Sequence, residues 1–126
     1  MPPYETLSTL IERLLGVPTR TTRSPTTFQI GVAVGQVMRQ NPNRVGAVIV
    51  NASANTVYVA PFNTVAAARG IRLGPSGGTL ALVWFEDFHS VGWEWFAVAD
   101  GAASDVYVQE VLTGPSLTGE DHAPSV

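Results

Sequence analysis

The stretch Arg44-Val45-Gly46-Ala47-Val48-Ile49-Val50-Asn51-Ala52-Ser53-Ala54-Asn55-Thr56-Val57-Tyr58-Val59 sets the reading of the whole chain. Two runs rich in β-branched residues, 44–50 and 56–59, flank a turn of small and polar residues, Ala52 to Asn55. β-Branched side chains favour the pleated backbone, and small polar residues favour its reversal, so the pattern predicts a β-hairpin.

Working towards the N-terminus, Phe28, Ile30, Val32 and Val34 alternate with Gln29, Gly31, Ala33 and Gly35, the period of a strand. Asn41-Pro42-Asn43 reads as a turn. On the C-terminal side, 60–70 reads as a loop and Ile71-Arg72-Leu73 as a short strand. Gly74-Pro75-Ser76-Gly77-Gly78 is a strong turn signal. Thr79 to Phe85 reads as an apolar strand buried on both faces, Glu86 to Gly92 as a loop, and Trp93 to Ala99 and Ser104 to Leu112 as strands. About seven short strands with no long helical segment predict an all-β, antiparallel β-sandwich or jelly-roll-like body over residues 28–112.

The ends read differently. Leu7, Leu10, Ile11, Leu14 and Leu15 fall on one face of a helix over 4–15, which Gly16 and Pro18 stop. Residues 16–27 are rich in threonine and proline and read as a linker, so 1–27 is expected to be an arm. Residues 113–126 read as a flexible tail. Residues 1–44 hold five arginines and two acids, and 45–126 hold two arginines and eight acids. A basic arm on an acidic body is suited to docking on something acidic, a second copy included. The expected docking residues are Leu7, Leu10, Ile11, Arg13, Leu14, Leu15, Arg20 and Arg23.

Composition limits the chemistry. Of 126 residues, 13% are charged, against about 25% in an ordinary domain, and no residue is lysine. Such a surface suits burial in an assembly better than life as a free monomer. The net charge of −3 argues against a generic nucleic-acid binder. With no cysteine, disulfides and thiolate sites are excluded. No apolar run is long enough for a membrane span. The first residues, Met1 to Glu5, lack the basic and apolar regions of a signal peptide.

Candidate chemistry is sparse. Glu86-Asp87-Phe88-His89 offers two carboxylates and an imidazole, but at no spacing with a defined metal geometry. The glycines of 74–78 lack the Lys-Ser/Thr of a phosphate loop. No enzyme and no cofactor is expected. Six of the eleven aromatic residues lie between 84 and 96, which makes that segment the strongest interaction signal. If 93–99 is a strand, Trp93 and Trp95 share one face and Phe96 takes the other. Trp84, Trp93, Trp95 and Phe96 are expected to fill the core and a contact between subunits. A sugar-stacking platform is the rival reading of the same tryptophans.

Residues 44–59, with Gly70-Ile71-Arg72-Leu73-Gly74-Pro75-Ser76-Gly77-Gly78, the acidic pair Glu86-Asp87 and the strand Trp93-Glu94-Trp95-Phe96-Ala97, resemble a pattern in small virion proteins of tailed bacteriophages. The similarity spans roughly residues 40–112. It implies a β-rich capsid decoration (cement) protein, made in the host cytoplasm and carried on the capsid surface. Such proteins tend to be homo-oligomers, often trimers, which clamp the major capsid protein. A place in the tail, neck or fibre base is the alternative within that class. The resemblance carries over no catalytic residue, and it leaves out the N-terminal helix.

Overall fold

The computed structural model describes residues 7–21 and 26–114. Arg23, residues 1–6 and nearly all of the expected tail lie outside them. Among the described residues nine strands form two antiparallel sheets. One sheet contains β1 (Thr19–Thr21), β2 (Thr26–Ile30), β4 (Arg44–Asn51), β7 (Thr79–Val83) and β9 (Ser104–Thr113). The other is ordered β3 (Gly35–Met38), β8 (Trp95–Ala99), β5 (Val57–Ala60), β6 (Ile71–Leu73). In the first sheet β9 lies between β4 on one side and both β1 and β2 on the other, and β7 forms the far edge.

The two sheets bury one shared core. Ile49, Leu82, Val106 and Val108 from the first meet Val57, Val59, Leu73, Trp95 and Ala97 from the second. Alternation explains the selection. In β8, Trp95, Ala97 and Ala99 are buried while Phe96 and Val98 are half-buried on the outer side.

The 44–59 stretch is not a hairpin. Both runs are strands, but β4 pairs with β7 and β9, whereas β5 pairs with β6 and β8. The turn between them is an arch from sheet to sheet. Such an arch needs polar groups in place of ladder bonds, and Asn51, fully buried, supplies them. Its Nδ2 donates to the carbonyls of Asn55 at 2.7 Å, Leu73 at 3.0 Å and Gly74 at 3.0 Å. Its Oδ1 accepts from the Ser53 amide at 3.0 Å and hydroxyl at 2.6 Å. The 74–78 turn closes over the arch, with Gly78 so tight that a Cβ would stand 2.3 Å from the Gly74 nitrogen.

Three other expectations change. The strand expected from Phe28 through Gly35 stops at Ile30. The chain then crosses to the second sheet, leaving Val32 and Val34 exposed. The stretch 79–85 is buried on one side only, as fits an edge strand. Thr79 and Ala81 are exposed and the strand ends at Val83. The expected linker contributes to the sheet: β1 and β2 both pair with β9, Thr19 opposite Thr113 and Thr26 opposite Val108. Threonine suits an edge strand, and these bonds are made by backbone, so no apolar pattern announced them. Helix α1 (Leu7–Leu15) is therefore tied to the sheet edge through three intervening residues and β1.

Asn51→Ala should lower stability by about 2–3 kcal/mol, because three carbonyls lose a buried donor at once. Chemical denaturation followed by tryptophan emission would measure it. A change within error would show that the arch does not depend on Asn51.

Candidate functional site

The site begins with a bulge. The β4–β9 register shifts between Arg44 and Gly46, and this moves the alternation by one residue. Arg44, not Val45, then turns inward, and its side chain is 1% exposed. A guanidinium has five N–H groups, all of which need acceptors when buried. Nε donates to Glu110 Oε2 at 2.6 Å, and Nη2 lies 2.5 Å from the same oxygen. Nη1 donates to the carbonyls of Val91 at 3.0 Å and Trp93 at 3.1 Å. Nη2 also donates to the Arg39 carbonyl at 2.6 Å. One side chain thus joins the end of β3, the segment before β8, and β9.

The segment before β8 is held from below as well. After β7 the chain makes one helical turn, α2 (Trp84–Asp87), then a 3-10 turn, Phe88–Gly92. The Asp87 carboxylate accepts the Val83 amide at 2.8 Å. Val91 plugs into the core at 1% exposure. The buried Trp95 indole N–H donates to the Ser90 carbonyl at 2.9 Å.

Above this support is an open depression of about 510 Å³. Trp84, Phe88 and Trp93 form its apolar lining, with Pro42, Arg44, His89 and others. Trp84 is 46% exposed, Phe85 60%, Phe88 72% and Trp93 49%. Trp84 and Phe85 meet edge to face, 5.5 Å between ring centres. Phe88 has φ 55° and ψ −133°. Those angles are near the first central position of a type II′ turn, which glycine favours. A bulky exposed side chain is thus held in a strained backbone.

The four aromatics expected to act together divide three ways. Trp95 alone belongs to the core. Trp93 precedes the strand, so it does not share the Trp95 face, and with Trp84 it borders the depression. Phe96 is half-buried on the outer side of the second sheet, opposite Ala60 and Gln36. Sequence reasoning left Phe85 and Phe88 out of its chosen set, although both lie in the aromatic cluster. It also missed Arg44, whose only signal was a charge at the head of an apolar strand.

In the arm, Leu7 and Leu14 are 70% and 74% exposed, and Leu10, Ile11 and Leu15 are half-buried. Arg13 is exposed, and Arg20 is half-buried on β1. Glu86 and His89 are exposed. Among the described residues no group of three or more His, Cys, Asp or Glu gathers as a metal site would. None of their helices is long and apolar enough to cross a membrane. No protein-family model and no curated protein matches this chain.

Two variants test the geometry. Arg44→Met should cost about 3 kcal/mol, the lower end for a broken buried pair because Glu110 keeps some solvent contact. Adding Glu110→Met should recover part of that loss, read from unfolding midpoints. Phe88→Gly should raise stability by about 1 kcal/mol by relieving the strained φ. A destabilised Phe88→Gly protein would show that the phenyl ring works as packing rather than as surface.

Proposed function

We propose that this protein is a non-enzymatic assembly protein that meets its partners through the aromatic end of the sandwich. The observation that carries the reading is Phe88, an exposed ring in a strained backbone beside three other exposed aromatics. Folding alone gains little from that arrangement, and strain is retained where surroundings or function require it. The four side chains present on the order of 400 Å² of aromatic surface, the size of a functional patch on a small protein.

The similarity to phage virion proteins gives this reading its setting: a head decoration protein on the capsid surface, binding its own copies and the major capsid protein. Strand order supports it. Leaving β1 aside, the order β2-β9-β4-β7 against β3-β8-β5-β6 supports a jelly-roll reading of the two sheets, an architecture frequent in viral capsids. A homotrimer with α1 as a docking arm is the specific form we favour. Antibody labelling of virions by negative stain distinguishes a head position from the tail, neck or fibre base.

A second reading has an observation of its own. Trp84 and Trp93 border one open depression, and jelly rolls also serve as lectins. Sugar binding would quench or shift tryptophan emission on titration with glycans.

The test of the main reading is the solution mass of the wild-type chain and of Trp84→Ser/Phe88→Ser, by light scattering on a sizing column. We expect a discrete oligomer for wild type and a lower mass for the variant, with unchanged circular dichroism. An oligomer of equal mass in both would remove the aromatic end from the contact. A wild-type monomer whose emission responds to a glycan would favour the lectin reading.

A further inference from the structure

Sheet edges carry unpaired backbone N–H and C=O groups, and proteins guard them against pairing with other chains. Among the described strands three edges are guarded. β6 is three residues long and bears the exposed Arg72. β3 is broken by a bulge between Gln36 and Met38. The edge made by β1 and β2 is interrupted, because Thr21 lies opposite Val111 and Thr26 opposite Val108. β7 has none of these devices. Its five residues, Thr79-Leu80-Ala81-Leu82-Val83, include no charge and no proline, and its register with β4 is unbroken. Thr79 and Ala81 are exposed.

The direction of each backbone group follows from the bonds beyond the end of the strand. The Asn51 N–H donates to the Gly78 carbonyl at 2.8 Å, and the Ala52 N–H turns the other way, to Asp105 on β9, at 2.9 Å. Alternate residues point their N–H and C=O to opposite sides, and opposed residues of an antiparallel pair both bond or both face away. Leu80 lies opposite Ile49 and Leu82 opposite Ala47, so those two leucines bond β4. Thr79, Ala81 and Val83 therefore point their backbone groups outward. The Val83 N–H agrees, since the Asp87 carboxylate accepts it at 2.8 Å. That cap leaves Thr79 and Ala81, each with an outward donor and an outward acceptor.

We infer that β7 pairs antiparallel with β7 of a second copy, about a two-fold axis at Leu80. A second copy fits because the open groups are self-complementary. With the axis at Leu80, Thr79 lies opposite the partner's Ala81 and Ala81 opposite the partner's Thr79. Four ladder bonds form, and none needs Val83. An axis at Ala81 would instead set Val83 opposite the partner's Thr79, although its N–H is already taken by Asp87. The Leu80 register also puts the partner's Gly77, which has no side chain, opposite Val83, where the Asp87 carboxylate sits. The two Leu80 side chains, each half-buried against its own core, face one another with Cβ atoms about 5 Å apart. No charge on either strand opposes the approach. The contact is isologous and joins copies in pairs, whatever number the aromatic end gathers.

Light scattering on full-length chains tests this. Wild type should contain an even number of chains. Ala81→Lys puts a charge on the edge, and Ala81→Pro removes an N–H that bonds nothing in its own sheet. Each should halve the wild-type mass with unchanged circular dichroism. Trp84→Ser/Phe88→Ser should keep the pair, so the two proposed contacts fail separately. The chain has no cysteine, so Leu80→Cys introduces one thiol at the axis and should link to itself on oxidation. Copies carrying Thr79→Cys, mixed with copies carrying Ala81→Cys, should give more mixed than self-linked dimer. A wild-type monomer or an odd-numbered oligomer would overturn the pairing, as would an unchanged mass for folded Ala81→Lys. Self-linked Ala81→Cys in excess of the mixed dimer would overturn the axis at Leu80.

Discussion

The buried guanidinium of Arg44 is the constraint on which the upper end of the molecule depends. Its planar fork must find acceptors for every N–H at once, and only one arrangement of three backbone segments provides them. A pair such as Arg44–Glu110 adds little stability over a well-packed apolar pair, since both charges lose water. What it fixes is position. With the Val91 and Trp93 carbonyls held, the 3-10 turn can sit in one place, and the exposed rings of Phe88 and Trp93 are placed with it.

The lower end repeats the device with a neutral side chain. Asn51 closes the far end of the same strand, so β4 carries an apolar core between two polar clamps, Arg44 and Asn51. Each clamp organises a segment that is not regular strand: the arch at 51–56 at one end, the helical turns at 84–92 at the other. The sandwich between them is ordinary alternation. Left-handed backbone occurs at both ends, at Ser76 and Ala103 beside the Asn51 arch and at Phe88 at the Arg44 end, but it is at the Arg44 end that it carries a large exposed ring among three other exposed aromatics. Real proteins break local rules mainly where function asks for it, and the exposed rings around Phe88 are where such a break meets an apolar surface.

Much of this was legible in the residues. The strands expected at 44–50, 56–59, 71–73, 93–99 and 104–112 are strands at 44–51, 57–60, 71–73, 95–99 and 104–113, and the helix expected over 4–15 is a helix over its described part, 7–15. Pairing was not legible. A hairpin and an inter-sheet arch both need two β runs around a polar turn, and residues 51–56 suit either. Nor was the bulge, because moving the alternation by one residue leaves no mark on composition. Nothing in the run 44–50 therefore marked Arg44 as a buried residue. Trp93 looked like the partner of Trp95 because a strand start two residues earlier would make it so. The threonines of 19–21 looked like linker because their bonds to β9 are backbone bonds.

The place of β9 has a consequence for how the chain comes to exist. It is the last strand in sequence, yet β1, β2 and β4 all pair with it. A ribosome delivers β4 some fifty residues before the partner that completes its sheet. Until Ser104 to Thr113 emerge, β1 and β2 have no neighbour and the apolar flank of β4 stays open. Folding of this half of the sandwich is thus an event of the finished chain, paced by closure between its two ends, the slow kind of topology. A transcript broken before β9 would yield not a smaller domain but an unpaired sheet, with the aggregation hazard that open strand edges carry.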